Sequence, residues 1–171
     1  MIFLQPISPE TALVFKAVRL RALADSPLAF SSTHEAESRL SDEEWIRRSE
    51  RWNGQDAIGF LAFDSLDQTS ACGLVGCYSE IHPEDNAVPH GHVVSMWVDP
   101  AYRRTGAGRL LIDGLKNWAK ACGLVQLKLM VTSVNPGAAE FYRRVGFRMS
   151  GTTGPYPNDP TIVEHEMVLD L

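Results

Sequence analysis

The sequence lacks an apolar run long enough to cross a membrane, which takes about 18 residues. Residues 1–6 also lack the charged n-region and the long apolar h-region of a secretory leader. We therefore expect a cytoplasmic protein with no membrane partner. At 171 residues, with 44% hydrophobic and 22% charged residues, the chain has the length and composition of one soluble domain, to which we assign residues 1–171.

Cysteine is scarce. Cys72, Cys77 and Cys122 form an odd set without the Cys-x-x-Cys spacing of many zinc sites. Cys72 and Cys77 lie five positions apart, so an extended strand would direct their side chains to opposite faces. The sequence therefore predicts buried thiols in a reducing compartment, with no metal site and no disulfide framework.

Basic residues are fewer than acidic ones, 16 against 21, which gives a formal net charge of −5. A negative balance argues against a nucleic-acid partner and favours a cationic or amine-bearing one, although solubility alone also explains it. We expect no nucleic acid among the partners.

A basic, glycine-containing loop follows the apolar strand predicted over residues 90–98. Gly106 and Gly108 allow the backbone to approach a ligand closely, and a helix begins near Gly108. The free amides and the positive dipole end of that helix point into the loop, an arrangement that binds phosphate. Arg103 and Arg104 add positive charge. We predict that this loop holds a pyrophosphate through Arg103, Arg104, Thr105, Gly106, Ala107 and Gly108.

Two common phosphate-binding fingerprints are missing. A G-x-G-x-x-G motif needs a small residue where Leu111 stands, and a P-loop needs a Gly-Lys pair, which occurs nowhere in the chain. The remaining pattern, R-x-x-G-x-G from Arg103 to Gly108, resembles the acyl-coenzyme A signature of the GNAT superfamily of N-acetyltransferases.

A second segment strengthens this resemblance. The strand predicted over residues 125–131 precedes Asn135, Tyr142 and the pair Gly146-Phe147, about thirty residues after the first motif. This block resembles the Asn-x-x-Ala…Tyr…Gly-Phe segment of the same family. With Pro136 in the first turn, Asn135 suits a helix N-cap and Gly146 its C-terminal stop. The chain is thereby identified as a member of the GNAT superfamily over nearly its whole length.

The resemblance implies an α/β (α+β) fold. Its central sheet is mixed, mostly antiparallel and about seven-stranded, with helices on both faces and a V-shaped split between two parallel central strands. We predict strands over residues 2–7, 57–63, 71–78, 90–98, 125–131, 147–152 and 162–169, and helices from residue 9, after residue 41, and over 108–121 and 136–145.

Two local predictions accompany this order. The first helix is expected to bury one apolar face, made of Leu13, Val14, Ala17, Leu20 and Ala24. Residues 154–157, Gly-Pro-Tyr-Pro, are expected to form a flexible rim between the last two strands, because Pro and Gly disfavour regular pairing.

The resemblance also implies acetyl-CoA as cosubstrate and assigns roles to single residues. The pantetheine arm would pair with the backbone of Met96, Trp97 and Val98. The Met96 amide would stabilise the oxyanion, a contribution of about 3 kcal/mol. Tyr142 would protonate the leaving thiolate, since a phenol with a pKa near 10 stays protonated at pH 7. Asn135 would contact the pantetheine or cap its helix.

The general base is less defined by the motifs. Many members place a Glu four residues before the oxyanion-hole residue, and this sequence has His92 there. An unperturbed imidazole pKa of about 6.5 suits a base. Glu80 and His90 are other candidates, and some members need no dedicated base. No cysteine matches a catalytic position, which favours direct transfer.

The predicted function is transfer of an acetyl group from acetyl-CoA to a primary amine of a small molecule, by direct attack in a ternary complex. A catalytically weak acyl-CoA sensor or subunit, a Lys or N-terminal protein acetyltransferase, and a nucleotide-binding protein remain alternatives. The acceptor, the range of acyl groups and the oligomeric state stay open; many relatives form homodimers. Acceptor specificity is expected from residues 19–30, 35–52 and 151–160.

Overall fold

A computed structural model describes residues 1–52, 55–64, 70–81 and 88–171. Its strands are β1 (Ile2–Pro6), β2 (Ala57–Asp64), β3 (Ala71–Glu80), β4 (His90–Val98), β5 (Gln126–Thr132), β6 (Arg148–Tyr156) and β7 (Asp159–Asp170). The helices of this part of the chain are α1 (Ala12–Asp25), α2 (His34–Ser38), α3 (Asp42–Arg51), α4 (Ala107–Ala121) and α5 (Pro136–Arg144). The connection between the strands predicted over residues 57–63 and 71–78 falls mostly on residues 65–69, outside the described residues.

All seven strands form one sheet in the order β1-β2-β3-β4-β5-β7-β6. β4 and β5 are parallel and pair only from His90 with Gln126 to His92 with Lys128, whereas the other neighbours are antiparallel. The predicted fold class is confirmed, including the split between two parallel central strands. Within the described ranges, no helix has the length and apolar character that crossing a bilayer needs.

Two apolar layers cover the two faces of the sheet. On one face, α4 and α5 pack in one apolar cluster with residues of β2–β5, in which Leu111, Leu115 and Leu127 are fully buried. On the other face, α1 and α3 pack against β2–β4, around residues such as Phe15 and Trp45. The strands β4 and β5 therefore lie between two layers of helices.

The predicted buried face of α1 is wrong. Leu13 is 56% exposed, and Ala17 and Ala24 are exposed as well. The residues that α1 buries are Ala12, Phe15, Val18, Arg19, Ala22 and Leu23. Apolar residues surround this helix, so periodicity alone could not select the face. The choice follows from packing on α3, where the ring of Phe15 meets Trp45 edge-on with centroids 5.2 Å apart.

The helix predicted after residue 41 is α3, and a capping box forms its N-terminus. Ser41 Oγ accepts from the amide of Glu44, and the Glu44 carboxylate accepts from the amide of Ser41 at 2.7 Å. Other element ends lie within a few residues of the prediction, but α2 was not predicted.

The flexible rim expected at residues 154–157 is also a wrong prediction. Gly154 to Tyr156 belong to β6, where Gly154 pairs with Glu164. β6 is an edge strand, so Pro155 is tolerated there without breaking a central ladder. Tyr156 is buried and its hydroxyl donates to Phe30 O at 2.5 Å, which fixes this segment against the chain that follows α1.

Candidate active site

The parallel pairing of β4 and β5 ends at His92 and Lys128, and both strands continue beyond it. The register of β3 and β4 shifts there, because Leu74 faces Trp97 while Gly76 faces Val94. β4 therefore holds one extra residue, and Ser95 adopts a φ of +58°. This bulge bends β4 away from β5 and opens a V-shaped slot.

A cavity of about 390 Å³ fills this slot, which is within the range of small-molecule sites. Its lining on the α4–α5 side includes Val93, Val131, Ala138 and Tyr142. On the α1–α3 side, the lining includes Arg19, Phe30, Ser31, Tyr78, His92, Thr132 and Glu164. The cavity thus passes through the sheet and joins its two faces.

The predicted phosphate loop ends at the first turn of α4. Gly106 is the N-cap with a φ of +97°, and Arg104 also has a positive φ of 71°. The first helical bond runs from the Leu110 amide to Gly106 O. The amides of Ala107 and Gly108 therefore precede that bond and are available to an anion at the helix N-terminus.

Gly108 places this helix start directly beside the slot. A Cβ at this position would lie 3.0 Å from the Phe141 ring of α5 and 3.3 Å from Met96 Cε of β4. A residue without a side chain lets the three elements meet. A pyrophosphate at the helix start would therefore be within one turn of the opened strand.

Arg103 has two protein partners in the structure. Its Nε donates to Val98 O at 3.0 Å and its Nη2 to Asp25 at 2.7 Å. Asp25 also accepts from Trp97 Nε1 at 2.9 Å; this bond, then those from Ser26 and Arg103, lowers the pKa of the Asp25 carboxyl. Arg103 thus ties the loop to α1 and β4, whereas the side chains of Arg104 and Thr105 are exposed.

Tyr142 lies on α5 and lines the cavity. It is 8% exposed, and its ring centroid lies 5.3 Å from that of Phe141 and 5.6 Å from that of Phe147. Burial raises the pKa of Tyr142 above its ordinary value of 10, so the phenol keeps its proton. Asn135 also lines the cavity, and its Oδ1 caps α5 by accepting from the Ala138 amide at 3.1 Å.

Of the three candidate bases, His92 alone lines the cavity as far as the described residues show. Its ring stacks on Tyr78 with centroids 5.1 Å apart. Burial lowers the pKa of His92, although nearby Glu80 acts in the opposite direction, so the imidazole is neutral at pH 7. His90 is buried, with Nε2 3.2 Å from the Glu80 carboxylate and Nδ1 2.9 Å from Val88 O.

Sequence reasoning missed a buried ion pair beside the cavity. Arg19 donates from Nε and Nη2 to Glu37 at 3.1 and 2.9 Å, and from Nη1 to Ser95 Oγ at 3.0 Å. Its guanidinium also lies 4.7 Å from the Phe30 ring centroid. Burial acts to raise the pKa of Glu37, but hydrogen bonds and charge from Arg19 outweigh it and hold the pKa below its usual value. No motif or periodicity links these positions.

Two further lining residues, Thr132 and Glu164, were also missed. They are directly paired on β5 and β7. Burial raises the pKa of the Glu164 carboxyl. In the sequence Thr132 is an ordinary strand-forming residue, so nothing in the sequence predicts that it lines the cavity. Across the described ranges, no group of three or more His, Cys, Asp or Glu residues is arranged to hold a metal ion.

The model of the acetyltransferase (GNAT) family matches residues 20–147. The mycothiol acetyltransferase of Thermobispora bispora is 33% identical over 135 residues, which cover 77% of this chain and 41% of that protein. The IAA acetyltransferase of Azospirillum brasilense is 35% identical over 103 residues, covering 60% and 63%. The chain thus spans less than two thirds of either relative.

Solved structures share the fold over the full chain. A GNAT-family acetyltransferase from Streptococcus pneumoniae superposes with a TM-score of 0.78 at 22% identity, covering 100% of this chain and 99% of that one. The PaiA N-acetyltransferase of Thermoplasma acidophilum, solved with coenzyme A, gives a TM-score of 0.74 at 18% identity with the same coverage.

Proposed function

The chain belongs to the GNAT family of acetyltransferases, and on that premise we propose that it transfers an acetyl group from acetyl-CoA to a primary amine of a small molecule. One relationship supports this proposal above the others. Gly108, at the start of α4, lies against Met96 on the opened strand, so an anion site and a slot for an extended chain are continuous. A pyrophosphate with a pantetheine arm requires this combination.

The proposed coenzyme site begins at the loop of residues 103–108. The backbone amides at the start of α4 would bind the pyrophosphate, and exposed Arg104 would add charge. Arg103 would fix the loop through Asp25 and Val98. The pantetheine would then run along the backbone of Met96, Trp97 and Val98, with Asn135 at the opposite wall.

The side chain of Trp97 is buried and its indole donates to Asp25, so the proposal uses only its backbone. Strand-like pairing needs nothing more, because each residue of an open strand edge offers one N–H or C=O group. A protein that shares this fold is solved in complex with coenzyme A, which supports a coenzyme A site on this fold.

The proposed chemistry is direct attack of the amine on the thioester, with the proton transfers that this attack requires. An ammonium acceptor first loses a proton to neutral His92, directly or through water. The amine nitrogen then bonds to the thioester carbon while the Met96 amide donates to the carbonyl oxygen. When the carbon–sulfur bond breaks, the Tyr142 hydroxyl gives its proton to the thiolate. The nitrogen gives up its second proton to water, and the Tyr142 phenolate recovers a proton from water. The products are an amide and free coenzyme A.

A route through an acetylated cysteine is not part of the proposal. Burial raises the pKa of Cys72, and it raises that of Cys77 to about 12. A thiol with so high a pKa does not provide a thiolate nucleophile at neutral pH. Direct transfer needs no such group.

Calorimetric titration with acetyl-CoA, followed by a thiol-release assay, tests the proposal. The assay would compare 1,4-diaminobutane, glycine, an aminoglycoside and a lysine-containing peptide. We expect micromolar coenzyme affinity and release with a small amine. Release with the peptide alone would support a protein acetyltransferase, and binding without any release would support the sensor. Absence of acetyl-CoA binding, or equal binding of ADP, would reject the proposal.

A further inference from the structure

Thr132, at the end of β5, lines the cavity and has a buried hydroxyl without a partner among the described residues. The residue is 5% exposed and lines the cavity. Its Oγ1 makes no hydrogen bond to any described residue. Buried hydroxyl groups in folded proteins nearly always have a partner. A group that enters the cavity is therefore the natural partner for this one.

Glu164, on β7, lies directly opposite Thr132 in the β5–β7 register. Side chains of directly paired residues project to the same face of the sheet and lie close together. Glu164 also lines the cavity. Neither an ion pair nor a side-chain hydrogen bond joins its carboxylate to the described part of the chain. A hydroxyl and a carboxylate, both without protein partners, are thus adjacent in one wall.

This pair lies level with the proposed point of reaction. His92 of β4 is paired with Lys128 of β5, and the two strands run in the same direction. Thr132 is four residues beyond Lys128, and Met96 is four residues beyond His92. The bulge adds only one residue to β4, so Thr132 and Met96 lie across the slot from each other.

The same register places the pair on the acceptor side of the sheet. Tyr78 is paired with His92, and the side chains of both share the α1–α3 face with Thr132 and Glu164. Tyr142 belongs to the opposite, α4–α5 side. A molecule entering from the α1–α3 side would therefore meet Thr132 and Glu164 as it reaches the Met96 amide.

We infer that Thr132 and Glu164 bind the amino group of the acceptor, which enters as an ammonium ion. An ammonium group has three N–H donors, of which the hydroxyl accepts one and the carboxylate accepts another while balancing the charge. The other charge in the lining, Arg19, is already balanced by Glu37. The inference rests on the proposed function and assigns the binding of the acceptor's ammonium group to these two residues.

The experiment is an NMR titration of the coenzyme A-bound protein with 1,4-diaminobutane, compared with butane-1,4-diol of equal length. Coenzyme A lacks the acetyl group, so binding is measured without turnover. We expect the diol to bind at least about tenfold more weakly than the diamine, and Glu164→Gln to weaken diamine binding about tenfold. Thr132→Val should weaken it about threefold to fivefold, and Thr132→Ser should restore it.

Glu166→Gln is the matched control. Glu166 lies two positions along β7 and loses the same charge, but it is outside the cavity lining. Its diamine affinity should stay within about twofold of the parent. Valine in Thr132→Val has nearly the same shape as threonine, and Thr132→Ser keeps the hydroxyl. The effect of position 132 on diamine affinity can therefore still be measured if one of the two variants folds poorly.

The outcomes separate this inference from the proposed function. Equal binding of diamine and diol would overturn the inference, as would equal effects of Glu164→Gln and Glu166→Gln. Weaker coenzyme A binding in Thr132→Val with unchanged diamine binding would also overturn it, because the hydroxyl would then serve the pantetheine. If the parent protein binds no coenzyme A, the proposed function itself is rejected.

Discussion

Arg19 Nη1 donates to Ser95 Oγ at 3.0 Å, which joins helix α1 to the bulge that opens β4. Ser95 has a φ of +58°, a conformation that costs a residue with a side chain about 1–2 kcal/mol. The remaining nitrogens of Arg19 are held by Glu37. The buried ion pair therefore supports the strained residue and connects helix α1 to the strand that we propose binds the coenzyme.

We predict that Glu37→Gln destabilises the fold by about 3 kcal/mol. The substitution keeps the shape but leaves the buried Arg19 without its counter-charge, and removal of one partner of a buried pair typically costs 3–5 kcal/mol. Arg48 also lies 3.3 Å from Glu37, but its side chain is partly exposed. Water would therefore solvate the Arg48 charge after the substitution, and its loss of a partner should cost little. Urea denaturation followed by circular dichroism measures the change in the free energy of unfolding.

Glu35→Gln provides the control from the same short helix. Glu35 pairs with Arg39 at 2.5 Å, but both side chains are at least three quarters exposed, at 77% and 75%. Exposed pairs contribute less than about 1 kcal/mol. Equal losses in the two variants would contradict the structural role given to the Arg19–Glu37 pair.

The same pair should make stability depend on pH. Because the pKa of Glu37 is lowered in the folded state, its contribution is complete above the unfolded pKa of about 4.3. The contribution is lost as the pH falls through the lowered, folded-state pKa. The difference in free energy of unfolding between the parent and Glu37→Gln should therefore be constant from pH 7 to 5 and shrink below pH 4. A constant difference down to pH 3 would be inconsistent with this origin.

The sequence predicted the parts of the site that depend on local backbone chemistry. The bounds of β4 were right to the residue, and the glycine turn, the start of α4 and the Asn135 cap all follow from conformational preferences within a few positions. Arg19 and Ser95 are 76 positions apart, so only the tertiary fold brings them together. The prediction of the buried face of α1 was wrong for a related reason, because packing of α1 on α3 selects the face that is buried.

Gly108→Ala tests the junction between the phosphate loop and the slot. The added methyl group would lie 3.0 Å from the Phe141 ring and 3.3 Å from Met96 Cε, so the Phe141 and Met96 side chains or the start of α4 must move by a few tenths of an ångström. We predict that acetyl-CoA affinity falls about tenfold, a loss of about 1.4 kcal/mol, as measured by calorimetry.

Gly137→Ala is the matched control for Gly108→Ala. Gly137 lies in the first turn of α5, and its nearest contact for an added Cβ is 4.0 Å away. Coenzyme affinity should be unchanged, and stability should rise slightly, because alanine reduces the freedom of the unfolded chain. If both variants bind acetyl-CoA like the parent, the loop and the slot are not coupled at Gly108.

Tyr142→Phe should lower kcat about a hundredfold while leaving acetyl-CoA affinity within about twofold, since general acids contribute about 10²–10⁴ in rate. The buried ring remains in place, so the fold should be retained.

Because burial raises the pKa of Tyr142, the parent should show no loss of activity from phenol ionisation up to pH 10. Tyr102→Phe, a partly exposed tyrosine outside the cavity lining, should behave like the parent. Unchanged kcat in Tyr142→Phe would exclude the proposed acid.

His92→Gln tests the base through the pH profile of kcat/KM. Burial lowers the pKa of His92 below 6.5, so its neutral, proton-accepting form predominates at pH 7 and is lost as the pH falls through that pKa. The parent should therefore show an acid limb below pH 6.5 that flattens in the variant.

At neutral pH the His92→Gln variant should lose about tenfold or more in rate, whereas at pH 9 the loss should be smaller, because more of the amine is already deprotonated. His165→Gln, which changes a histidine outside the cavity lining, should keep the parental profile. If the His92→Gln variant has the same pH profile as the parent, His92 is not the base, and the acceptor must lose its proton to solvent. The slot and Tyr142 would then suffice for transfer.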